Sequence, residues 1–139
     1  MGTTPSNVNY MAATKRHRED ADLLYNDGRY PNAGHLYGFH AECALKAVLV
    51  AFGASIEDGS PYRVHIDRLI PMFTVFPDGR IATKYSALMP SLTSFSNWRV
   101  AHRYWRDSLL PKATVDQWKN ASTEVENMIQ EAIRDGVRV

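Results

Sequence analysis

PNAGHLYGFHAECALKAVLVAF, residues 31–52, decides how the rest of this chain folds. Apolar residues recur there at Ala33, Leu36, Tyr37, Ala41, Ala44, Leu45, Val48, Leu49 and Phe52. Steps of three and four trace one face of a helix. Phe39, Cys43, Ala47 and Val50 form a second apolar face beside the first. Only a narrow polar line interrupts the surface: His35, Glu42 and Lys46, with Gly38 between them. A helix that is apolar nearly all round is enclosed by other helices. Polar chemistry on it is therefore expected where Glu42 and Lys46 meet a neighbour.

Upstream, residues 1–6 read as a loose tail. A first helix is expected from about Asn7 to Asn26, with Tyr10, Ala13, His17, Ala21 and Leu24 on one face. TKRHRED, residues 14–20, supplies its charged outer side. Gly28 ends it, because glycine accepts the left-handed conformation past a helix terminus. Pro31 suits the first turn of the next helix, where a missing N–H costs nothing. The link Gly28-Arg29-Tyr30 is so short that the two helices must be antiparallel and directly packed.

Downstream, Gly53 closes the central helix, and residues 53–64 read as a loop. A shorter helix runs from His65 to Ile70 or Phe76, with Ile66, Leu69, Ile70 and Phe73 apolar and Pro71 bending or ending it. Pro77-Asp78-Gly79 is a turn. A helical pattern resumes at Ile81 through Tyr85, Leu88, Leu92 and Phe95, interrupted at Pro90. Continued by four and three, the same stripe meets Arg99 and His102, with Arg103 adjacent. An inward line that turns from Leu and Phe to Arg and His needs a buried carboxylate partner or a cleft. After Pro111, Thr114-Val115-Asp116-Gln117 has capping-box spacing. The last helix follows to about Asp135, with Val115, Trp118, Ser122, Val125, Ile129 and Ala132 on its face and Gly136 at its end. No alternating strand pattern and no repeat is present. The expected fold is all-α, a single domain over residues 7–136 built as an up-and-down bundle of four main helices with a short extra one.

Composition narrows the function classes. The chain has 139 residues, 45% of them hydrophobic and 22% charged, and a net charge of +1. No global field draws it to nucleic acid or membrane, so any such attraction is local. A single cysteine, Cys43, excludes an internal disulfide and a Cys-based zinc cluster. Its place on the central helix predicts an inert core thiol. No apolar run approaches the roughly 20 residues that span a bilayer, and no signal-peptide pattern opens the sequence. A cytoplasmic protein without a membrane partner is expected. The first six residues fit a permissive myristoylation pattern, but nothing else in the sequence looks like an anchor. His17, His35, His40 and His65 lack metal-ligand spacing, so neither metal nor cofactor is expected. A Gly-rich phosphate loop and a GxSxG elbow are absent from the sequence.

Several short pieces then align in order: Asp20-Ala21-Asp22-Leu23-Leu24, Gly28-Arg29-Tyr30, Ala41-Glu42-Cys43-Ala44-Leu45-Lys46-Ala47-Val48-Leu49, His65-Ile66-Asp67-Arg68-Leu69 and Arg103-Tyr104. Together, over roughly Ala13 to Ile133, they resemble the HEPN family of helical domains. The resemblance implies a four- or five-helix bundle, usually a homodimer. It implies a nucleotide- or RNA-binding module, or one that docks with a nucleotidyltransferase as in toxin–antitoxin pairs. Ribonuclease members of that family carry an Arg and a His on a late helix with four to six residues between them. The matching segment here, Asn97-Trp98-Arg99-Val100-Ala101-His102-Arg103-Tyr104, has only two residues between Arg99 and His102. The spacing departs from that signature, although i and i+3 still share a helical face.

The candidate site residues follow. Arg99 and His102 are the candidate catalytic pair for metal-independent RNA cleavage: imidazole as base, guanidinium against the developing phosphorane charge. Glu42 either polarises a substrate or orients His102, or forms a buried ion pair with Arg103, the reading preferred here because guanidinium matches carboxylate. Lys46, one turn from Glu42, pairs with it or binds phosphate. Trp98, Tyr104 and Trp105 interleave with Arg99, Arg103, Arg106 and Lys112. Aromatics among cations suit single-stranded RNA or a nucleotide, through stacking and phosphate contact. The same residues also fit core aromatics and surface charges. Trp98, Glu42, Lys46, Arg103 and Tyr104 are the expected ligand-binding set.

Overall fold

The computed structural model describes residues 8–51, 66, 93–136 and 139. Three long helices carry the fold: α1 at Tyr10–Asn26, α2 at Tyr30–Ala51 and α3 at Lys112–Arg134. Three short 3-10 turns, Thr93–Phe95, Val100–Tyr104 and Asp107–Leu109, form a strap that leads into α3. Among the described residues there is no strand, so the class is all-α. Among them, too, no helix is long and apolar enough to cross a membrane. The helices expected at His65–Phe76 and from Ile81 to Leu92 lie outside the described residues, apart from helical, fully buried Ile66.

Local chemistry sets the helix ends. Asn9 caps α1, its side-chain oxygen accepting the Ala12 N–H at 2.9 Å. At the other end the Gly28 N–H reaches the Tyr25 carbonyl and the Arg29 N–H the Leu24 carbonyl, with Gly28 at φ +79°. That paired closure satisfies orphan carbonyls and needs the positive φ that glycine takes without strain. The expected capping box at Thr114 is not used. α3 starts earlier, at Lys112, with Pro111 as its cap residue in an extended conformation.

Antiparallel α1 and α3 both pack on α2, which is buried along nearly its whole length. The core joins Tyr37, Leu45, Val48 and Leu49 of α2 to Val115, Trp118, Val125 and Ile129 of α3, with Phe95, Trp98 and Leu110 from the strap. Every α3 position expected inside is buried, because Val115, Trp118, Ser122, Val125, Ile129 and Ala132 recur at helical spacing.

Two glycines shape the centre. A Cβ on Gly34 would come within 2.8 Å of the Trp118 and Val115 side chains, and one on Gly38 would fall inside the Trp98 indole. Both tryptophans therefore pack directly against the α2 backbone. The Trp98 Nε1–H donates to the Gly34 carbonyl at 3.2 Å, and the Trp118 Nε1–H donates to Asn97 Oδ1 at 2.9 Å.

Candidate functional site

The strap holds the candidate catalytic pair. Arg99 precedes the turn Val100–Tyr104 in an extended conformation, φ −139° and ψ 143°, so Arg99 and His102 do not share a continuous α-helical face. The Arg99 guanidinium turns back on the chain, its Nη1 donating to the Ser96 carbonyl at 2.6 Å and the Trp98 carbonyl at 2.7 Å. His102 is only 5% exposed, tilted on Trp105 at 4.2 Å and stacked on Trp118 at 5.6 Å. The Arg99 backbone N–H points at its Nδ1 over a long 3.4 Å. Burial first, and then the Arg99 charge, hold the His102 imidazole below its ordinary range.

His35 of α2 belongs to the same neighbourhood. Its ring stacks on Trp98 at 5.2 Å and meets Phe39 edge-on at 4.8 Å. Burial, with smaller contributions from His102 and Arg103, pushes it down to about 4.

The expected ligand-binding set divides. Trp98 is 1% exposed and capped by His35 and Phe39, so its indole is core rather than a stacking platform. Glu42 and Lys46 are buried and pair with each other at 3.3 Å within α2. The expected Glu42–Arg103 ion pair does not form. Arg103 is exposed, its guanidinium 4.9 Å from the centre of the Tyr104 ring. The i,i+4 spacing within α2 supplied Glu42 with a nearer cation than any on the strap. Lys46 also approaches the Tyr10 ring at 5.9 Å.

Tyr104 and Trp105 stand out at 78% and 47% exposed, followed by Leu109 at 57%. Arg99, Arg103 and Arg106 are exposed around them. The strap thus presents an edge of large rings and guanidinium groups.

No family model, curated protein or solved structure matches the chain. The reading of this edge therefore rests on its own geometry.

A second polar assembly escaped the sequence reading. The Arg18 Nη1 donates to Ser122 Oγ at 3.0 Å, its Nη2 to Thr123 Oγ1 at 2.9 Å and its Nε to Asp22 Oδ2 at 3.2 Å. Ser122 Oγ lies 2.6 Å from His40 Nδ1, and His40 Nε2 lies 2.9 Å from Glu126 Oε2. One assignment satisfies every group: guanidinium into Ser122 Oγ, Ser122 O–H into Nδ1, Nε2–H into Glu126. The Tyr37 hydroxyl donates to the other Asp22 oxygen at 2.6 Å. The order serine, histidine, carboxylate resembles a nucleophile relay, but Ser122 and His40 are fully buried and Arg18 covers the hydroxyl. A nucleophile needs an open approach, so this chain of bonds is a buried brace between three helices. The signals were a histidine on an apolar helix and a serine on an apolar face. Among the described residues no cluster of three or more His, Cys, Asp or Glu could hold a metal ion.

Proposed function

We propose that the chain is a HEPN-like module, a bundle of four main helices and a short one, that binds single-stranded RNA or a nucleotide along the 99–106 edge. The observation carrying this reading is the exposed pair Tyr104 and Trp105 set among exposed Arg99, Arg103 and Arg106. Two neighbouring rings left in water offer π-faces for bases, and three guanidiniums offer donors to phosphates. Base–aromatic stacking contributes roughly 1–3 kcal/mol per base.

The same geometry favours binding over cleavage. A metal-independent ribonuclease with Arg99 and His102 as catalytic groups needs an imidazole that reaches a 2′-OH. The buried His102 ring and the engaged Arg99 guanidinium speak for a positioning task instead. Exposed Leu109 extends the edge with an apolar surface, which supports a second use: docking with another copy as a homodimer or with a nucleotidyltransferase.

Tryptophan fluorescence tests the proposal directly. Trp105 is the exposed tryptophan, whereas Trp98 and Trp118 are buried, so a bound base quenches it alone. Titration with a short single-stranded oligonucleotide is expected to quench saturably, more weakly as salt rises. Arg103→Ala and Tyr104→Ala are expected to weaken binding without loss of fold. No cleavage in the presence of EDTA is expected. Cleavage abolished by His102→Ala in a folded chain would replace this reading with the enzyme.

A further inference from the structure

Two titratable rings lie beneath the 99–106 edge without an acid acting on them. His102 sits between core and edge: it stacks on Trp118 of α3 at 5.6 Å, tilts on exposed Trp105 at 4.2 Å, and is itself only 5% exposed. Its own strap brings the Arg99 charge to bear on it, α2 brings His35, and α3 presents the uncharged Trp118 ring. His35 in turn feels His102 and Arg103. Among the described residues no carboxylate acts on either imidazole. Asp116 of α3 is bonded to Tyr25 and Lys112 instead. A neutral imidazole tolerates this setting, whereas an imidazolium calls for an anion beside it.

The neutral His102 ring has a defined place for its next proton. The Arg99 backbone N–H points at Nδ1 over 3.4 Å, so Nδ1 is the acceptor and Nε2 carries the hydrogen. A second proton therefore enters at Nδ1 and displaces a contact too long to hold it out. Burial and the Arg99 charge are what oppose it. His35 does not compete for this proton, because burial and the charges of His102 and Arg103 keep it neutral down to about 4.

A phosphate on the edge changes that balance. Trp105 touches His102 and Arg99 adjoins it, so a phosphate held there lies within the screening length of about 8–10 Å. Its negative charge offsets Arg99 and favours the imidazolium. We propose, resting on the reading of this edge as the ligand site, that His102 couples the site to pH: a phosphate-bearing ligand binds with uptake of one proton at His102 Nδ1. The sign follows from linkage. A group that gains proton affinity on binding strengthens binding as pH falls through its range. The edge therefore holds its ligand more tightly in mild acid than in mild base.

Calorimetric titration of the full chain with an oligouridylate tests this, because neither its bases nor its phosphodiesters change charge where histidine does, between about pH 5 and 8. Affinity is expected to rise about three- to tenfold from about pH 8 to about pH 5.5. Toward the acid end the measured heat should vary with the ionisation enthalpy of the buffer, in the sense of proton uptake. His102→Phe keeps a ring between Trp105 and Trp118 but cannot titrate. In that variant the uptake should vanish and the pH profile flatten, whatever its affinity at high pH. Calorimetry on the unaltered chain decides the matter even where the variant does not fold. Binding without proton uptake, binding that weakens in acid, or uptake that persists in folded His102→Phe would overturn the proposal and leave the edge as the ligand site. No binding at any pH would overturn the reading of the edge itself, and the proton coupling with it.

Discussion

His35 places a titratable ring face to face with Trp98, and its Nδ1 is buried without a hydrogen-bond partner. Burial, aided by His102 and Arg103, keeps its proton off until about pH 4. The unfolded chain protonates the same ring near its ordinary 6.5. Stability from this residue is therefore whole above pH 6.5 and drains away as pH falls toward 4. Because the ring is only partly buried and solvent screens part of the effect, the loss is about 1–2 kcal/mol rather than the full linkage value. Thermal melts between pH 7 and 4 should show it, and His35→Phe, which keeps the stacking, should flatten the slope. Some slope should remain, since His102 and His17 are also held below their ordinary range, chiefly by burial. Cys43 behaves in the opposite sense. Burial first, and then the Glu42 charge, push its thiol up to about 11. Thiolate is the reactive form, so alkylation by iodoacetamide at pH 7.5 should be far slower than for a free thiol. A rate equal to that of free cysteine would show that the α2 surface opens on the time scale of the reaction.

Among the elements, α2 was the most legible and the strap the least. An all-round apolar helix leaves a strong 3.6-residue signature, and α2 is buried along nearly its whole length. α1 and α3 followed from amphipathic stripes and from the glycines that end them. The segment 93–110 carries no such period, because 3-10 turns and extended residues such as Arg99 repeat nothing over one or two turns. Reading it as a continued helix therefore placed Arg99 and His102 on one face and turned Trp98 toward a ligand. The docking of Trp98 was foreshadowed only by Gly34 and Gly38, one turn apart on a helix that otherwise avoids glycine. Glycine there sacrifices helix propensity by about 1 kcal/mol, a loss offset by close indole packing. Gly38→Ala is expected to destabilise the fold by about 1–3 kcal/mol through overpacking, despite alanine's better propensity. Urea denaturation reads this as a lower midpoint at unchanged slope. A raised midpoint would mean that Trp98 is not seated on the α2 backbone.

Across the whole molecule, apolar burial holds α2 between its neighbours, but the Arg18–Ser122–His40–Glu126 chain fixes how the three helices register. It takes one side chain from α1, one from α2 and two from α3, so it forms only when all three are aligned. The sequence concealed it because its members sit far apart and each looked ordinary alone: Arg18 on a charged face, Ser122 among small core residues. In Ser122→Ala the hydroxyl is gone while His40 Nδ1 and one Arg18 donor stay buried. An orphaned buried polar group costs about 1–3 kcal/mol, a large share of the 5–15 kcal/mol that typically holds a domain folded. Replacing both partners by apolar groups removes the orphan, so His40→Phe/Ser122→Ala should recover part of the loss that Ser122→Ala alone incurs. Guanidinium or urea melts of the two single variants and the double variant give the coupling energy as their departure from additivity. Amide exchange locates the effect: Ser122→Ala should loosen α1 more than α2, because α1 is tied to α3 through Arg18 and its two hydroxyl acceptors. Strict additivity, together with equal loosening of all three helices, would mean that packing alone sets the register and that the polar chain merely fits within it.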